Sequence, residues 1–103
     1  MSTATLHSHI ESTPGVLGGK PRIQGRRISV QDIVVWHERQ GQSAEEIALG
    51  YDLSLAEIYA ALAYYYDHKE TVDAAIEKDR AFVEEMKIKV PSKLAKKQNV
   101  RKA

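Results

Sequence analysis

Two capping boxes, Ser43-Ala44-Glu45-Glu46 and Ser54-Leu55-Ala56-Glu57, follow each other closely in this chain. In such a box the serine hydroxyl accepts from an orphan N–H of the first helical turn, and the glutamate three residues on accepts from the serine's own N–H. Two helix starts this close leave room for one short helix, a turn and a longer helix, the layout of a helix-turn-helix. The first helix is expected over residues 44 to 50, ending at Gly50 in a left-handed conformation open to a residue without Cβ. Tyr51, Asp52 and Leu53 then form the turn. Ile47 and Ala48, followed by Leu55, Ile58, Leu62 and Tyr65, recur at three- and four-residue intervals, so each helix has one apolar face, with Leu53 packed between them. A helical hairpin with no DNA role satisfies the same pattern.

Upstream, Ser29-Val30-Gln31-Asp32 is another helix start, with Asp32 at the positive end of the helix dipole. Val30, Ile33, Val34 and His37 fall on one stripe with Trp36 at its flank, and Gly41 is the expected stop. Before this helix, Pro14-Gly15, Gly18-Gly19 and Gln24-Gly25 separate short β-favouring pieces around Ile10, Arg22-Ile23 and Arg27-Ile28. A ribbon of that size needs a helix or a second copy to cover it. The glycines do not form a phosphate loop, because the first is one residue too close to Gly19-Lys20 and Pro21 stands where a magnesium-binding Ser or Thr is required. Downstream, Asp67-His68-Lys69-Glu70 is cap-like before Thr71. Val72, Ala75, Ile76, Phe82, Val83 and Met86 then form the stripe of a longer helix, interrupted by Asp79 and ending no later than Pro91.

The net charge of +1 conceals a segregation. From Lys87 onward there are seven Lys or Arg and no acidic residue, while residues 1 to 86 hold eight basic and fourteen acidic side chains. An acidic body with a cationic extension suits an acidic partner or phosphate. The chain has no cysteine, which excludes disulfides and thiolate metal sites and suits a reducing cytoplasm. No signal peptide or membrane span is expected, since no long apolar run occurs. His7 and His9 lack further ligands nearby, so no metal or other cofactor is expected. Catalysis is not expected either: the remaining candidates, His37 with Glu38 and His68 with Asp67 or Glu70, are pairs of neighbours predicted to point in different directions on a helix.

The stretches PGVLGGKPRIQGRRISVQDIV, GQSAEEIA and YDLSLAEIYAALAYYYDH, with the aspartate of Val72-Asp73, are similar to the domain of unknown function 433 family. The similarity runs over residues 10 to 76, and its linked GG-x-P-x-I-x-G-x-R-I pattern is the specific part. The resemblance implies a small prokaryotic protein, antitoxin-like and VapB-related in part, with a homeodomain-like helix-turn-helix and often encoded beside a PIN-like ribonuclease toxin.

The expected organisation is a flexible lead over residues 1 to 9, a mainly α domain over 10 to 86, and a basic flexible tail over 87 to 103. The domain is read as a homeodomain-like three-helix core with a short N-terminal β ribbon and a longer C-terminal helix. The presumed recognition helix, Ser54 to Tyr66, is predicted to expose Ala56, Glu57, Tyr59, Ala60, Ala63 and Tyr64 and has no Arg, Lys, Asn or Gln to read base edges. Operator DNA would therefore be gripped mainly by Lys20, Arg22, Arg26 and Arg27 of the ribbon, with Ser54 and Tyr59 as helix contributions, in a dimer that doubles the contacts. A toxin would be bound by the tail, through Val90 and Leu94 as apolar anchors beside Lys93, Lys96, Lys97 and Arg101. The expected function is that of a cytoplasmic antitoxin neutralising a PIN-like ribonuclease and repressing its own operon. The alternative is a small dimeric protein-interaction module without DNA binding.

Overall fold

The three serine-led starts each open a helix with a complete reciprocal cap. The Ser29, Ser43 and Ser54 hydroxyls accept from the N–H groups of Asp32, Glu46 and Glu57 at 3.0, 3.0 and 3.1 Å. The same carboxylates accept from the serine N–H groups at 3.1, 2.8 and 2.8 Å. They begin α1 (Val30–Val34), α2 (Ala44–Tyr51) and α3 (Leu55–Asp67). A fourth helix, α4, spans Lys69–Lys89. In this computed structural model residues 3–89 are described, and the chain divides into two compact units, Met1–Val72 and Asp73–Ala103. The fold is mainly α with a small N-terminal antiparallel sheet. Among the described residues no helix is long and apolar enough to cross a membrane.

α1 runs on as a single π turn, Val35–Arg39, and the chain leaves it at Gly41, whose φ of 74° is the left-handed geometry expected of that stop. α2 corrects its predicted end. Gly50 is helical, Tyr51 is the last helical residue, and Asp52 takes the left-handed position at φ 55° and ψ 49°. Aspartate tolerates that region better than most side chains, so glycine is not needed for the turn. The expected cap at Asp67 to Glu70 is instead a one-residue break at His68. Its N–H still donates into α3, to Tyr64 and Tyr65, while its carbonyl already accepts from Val72.

The sheet has the order β1 (Ala4–His7), β2 (Ile10–Ser12) and β3 (Arg22–Ile23), all antiparallel. β1 lies in the stretch read from sequence as a flexible lead. His9, at φ 65°, turns the chain tightly enough for Ala4 to pair with Ser12. Arg27-Ile28, expected as a third extended piece, is not a strand. The N–H of Ile23 donates to the Ile28 carbonyl and that of Arg26 to the Ile23 carbonyl, so these residues close a turn that leads into α1.

In the Met1–Val72 unit α3 is the hub, packing on α1, α2, β2 and β3. Among the described residues the largest fully buried side chains are Ile10, Ile23, Val30, Ile33, Val34, Ile47 and Ile58. Leu53, Leu62 and Tyr65 are buried as the periodicity predicts. The predicted stripe of α4 is buried only in its first turns, where Val72 and Ile76 are buried and Ala75 is half-buried; Phe82, Val83 and Met86 are exposed, as is every other described residue from Arg80 on. Ion pairs of Arg80 with Glu77, Lys87 with Glu84 and Lys89 with Glu85 support that helix.

Candidate functional site

Two of the three ribbon arginines, Arg22 and Arg26, are held by the protein itself. Arg22 and Glu11 face each other across β2 and β3, with their charged groups 2.7 Å apart and both side chains 11% exposed. Arg22 also donates to the Arg26 carbonyl at 2.7 Å and to the Thr13 hydroxyl at 3.1 Å. Glu11 accepts in addition from the N–H of Gly25, where a φ of 74° brings the backbone round to the carboxylate. Arg26 donates one nitrogen to the Asp52 carbonyl at 2.8 Å and another to the Tyr51 carbonyl at 2.6 Å. It thereby satisfies the end of α2, where carbonyls lack helical partners. Lys20 is half-buried and Arg27 is exposed.

Arg26→Ala is expected to lower unfolding free energy by about 1.5–3 kcal/mol, the range for bonds from a charged donor. Arg26→Lys should recover only part of it, because one ammonium does not reproduce the fork of a guanidinium. Urea denaturation of the three proteins checks both.

The face formed by α2 and α3 has a different character. Residues 44 to 67 contain five carboxylates (Glu45, Glu46, Asp52, Glu57 and Asp67) and no Lys or Arg. Glu46 and Glu57 serve as capping partners. Hydrogen bonds from the Ser43 N–H and then its side chain hold the Glu46 carboxyl below its usual range, which keeps it ionised. The Ser54 hydroxyl is engaged by its own helix, and Tyr59 is 53% exposed.

Leu49 is 88% exposed and Leu55 is 42% exposed. With Ala48 and Leu53 they line a shallow groove of about 370 Å³ at the α2–α3 turn, with Glu45 and Asp52 completing its wall. Leu55 was expected inside. Leu53 in the turn already fills the space between the helices, and the first residue of α3 is left looking outward. Conversely Ala60, expected outside, is buried and Tyr64 is half-buried, because α3 is packed on by four elements and buries a wide arc. Tyr66 is exposed instead. The groove was not anticipated from sequence, although Leu49 signals it: it is an apolar residue lying off the Ile47 and Ala48 stripe.

The His37 and Glu38 side chains, predicted to diverge, meet at 2.7 Å. Both belong to the π turn, whose wider winding changes the angle between neighbours. Glu38 also accepts from the Tyr66 hydroxyl at 3.0 Å, a bond that raises the Tyr66 pKa by favouring the neutral phenol. The His68 ring stacks on Tyr64 with centroids 4.2 Å apart and lies 3.0 Å from the Tyr64 carbonyl. Among the described residues no three His, Cys, Asp or Glu converge as a metal site. The toxin-binding candidates Val90, Lys93, Leu94, Lys96, Lys97 and Arg101 lie outside the described residues.

No curated protein matches this chain. Among solved structures, the crystal structure of a DUF433 member protein from Anabaena variabilis ATCC 29413 is similar, with a TM-score of 0.63 and 36% sequence identity over 67% of this chain and 68% of that one. The family profile described as "Protein of unknown function (DUF433)" matches residues 10–65, from the start of β2 to the last buried residue of α3. The chain belongs to the DUF433 family.

Proposed function

We propose that the protein is an antitoxin-type module that captures a partner protein, a PIN-like ribonuclease toxin, and that α1, α2 and α3 are a homeodomain-like helix-turn-helix used chiefly for protein contacts. The observation that supports protein rather than DNA as the main partner is the charge of α2 and α3, five carboxylates without a Lys or Arg. DNA presents a dense row of phosphates, and a reading helix needs donors for base edges. The antitoxin assignment itself comes from the family resemblance.

On this reading the toxin is engaged by the cationic residues from Lys87 onward. A metal-dependent nuclease gathers carboxylates in its cleft, and lysines and arginines flanking Val90 and Leu94 complement such a cleft in charge and in apolar contact. The segment would lose chain entropy on binding but cover a large surface.

The test is co-expression with the ribonuclease encoded by the neighbouring gene. The full chain is expected to restore growth, whereas a chain ending at Met86 keeps its helical circular dichroism and fails to rescue. Equal rescue by the shortened chain overturns the proposal. Gel shift with the upstream intergenic DNA should give weak binding. Tight binding with a steep salt dependence that Arg26→Ala and Arg27→Ala together flatten would favour a DNA reader instead.

A further inference from the structure

The groove at the α2–α3 turn combines an apolar floor with an anionic wall. Ala48, Leu49, Leu53 and Leu55 supply the first, and Glu45 and Asp52 the second. Among the described residues, neither of these two carboxylates is drawn into an ion pair. Arg26 stands at the edge, but its guanidinium is spent on the Tyr51 and Asp52 carbonyls. Leu49 is the most exposed large apolar side chain described, and it lines the rim of this shallow groove. Tyr59, one helical turn on from Leu55, extends the apolar strip along α3.

This chemistry selects its occupant. Two copies of the same face would set carboxylates against carboxylates, which disfavours a symmetric pairing of α2 and α3 with themselves. An aliphatic side chain flanked by cations meets both features of the groove, and the chain carries such a sequence. Val90, Leu94 and Val100 are interspersed with Lys93, Lys96, Lys97, Arg101 and Lys102, and no acidic residue occurs among them. The fourteen residues from Val90 to Ala103 would reach up to about 46 Å if fully extended.

We infer that the α2–α3 groove is the seat for the cationic C-terminal segment of a second copy of this chain, each copy giving its segment to the other in a closed two-fold dimer. A reciprocal exchange satisfies both grooves and stops at two subunits, whereas a one-way contact would continue into a filament. The inference needs no partner but the chain itself, and because the proposed function gives the same segment to the toxin, toxin and groove compete for it.

Sedimentation of the full chain over a range of concentrations tests it. The expected result is a monomer–dimer equilibrium that weakens as salt is raised, since the contact pairs lysines with carboxylates. Leu49→Gln removes an apolar contact worth about 1.5–3 kcal/mol when fully buried, so the dimer Kd should rise by about tenfold or more. The pair Glu45→Gln with Asp52→Asn should weaken the dimer and flatten its salt dependence. All these positions are exposed, so the variants should keep the parent's thermal midpoint. A synthetic peptide of residues 87–103 added to the full chain should convert dimer to monomer.

A chain that sediments as a monomer throughout overturns the inference, as does a dimer unchanged by the groove variants. A dimer lost only on substituting Phe82 and Met86 would place the contact on α4 and overturn it as well. Sedimentation reads self-association in the absence of any toxin, whereas rescue of growth reads toxin capture, which separates failure here from failure of the proposed function.

Discussion

Replacing Glu11 with alanine is expected to cost about 3–5 kcal/mol of unfolding free energy, the penalty for leaving one partner of a buried ion pair uncompensated. The carboxylate is the counterion of Arg22 at 2.7 Å and also receives the Gly25 N–H. Without it the guanidinium is left largely out of water among two neutral acceptors, the Arg26 carbonyl and the Thr13 hydroxyl. Glu11→Gln should lose nearly as much, because it restores volume but not charge. Replacing both Glu11 and Arg22 with methionine should recover most of the loss, since an apolar pair needs no counterion. Urea midpoints at constant m value check all three.

Ile58→Ala should be comparably damaging, about 2–5 kcal/mol, while Leu55→Ala three residues earlier should stay within about 1 kcal/mol. Ile58 is fully buried on the helix that packs against α1, α2, β2 and β3, so removing three carbons leaves a void bounded by elements that cannot all collapse inward. Leu55 faces the groove and is 42% exposed. The sequence pattern treats both leucine and isoleucine as core, so the contrast measures directly which way α3 is rotated. Thermal unfolding of the two variants decides it: equal losses would place Leu55 inside and remove the groove.

Much of the helical layout is legible without coordinates because its signals are local. The reciprocal bonds of Ser29, Ser43 and Ser54 involve partners three residues away, and the periodicity identifies Ile47, Ile58, Leu62 and Tyr65 as inner residues, although it also places Leu55 inside, where the structure exposes it. What sequence misses depends on residues far apart. Arg22 and Arg26 read as free cations until Glu11 and the end of α2 are brought beside them. β1 escapes notice because pairing with β2 and a turn at His9 define it, with little β-favouring composition of its own. The meeting of His37 and Glu38 depends on a π turn that no residue pattern announces.

Among the described residues the seven largest fully buried side chains are all isoleucine or valine. Each branches at Cβ and has little freedom about its first torsion, so less motion is lost when the chain folds, but the interior also has little capacity to rearrange afterwards. Methionine could flex to absorb an added or missing carbon; these residues cannot. Exchange between isoleucine and valine is then the mildest change such an interior accepts, and any change of shape on meeting a partner falls to the outer surface.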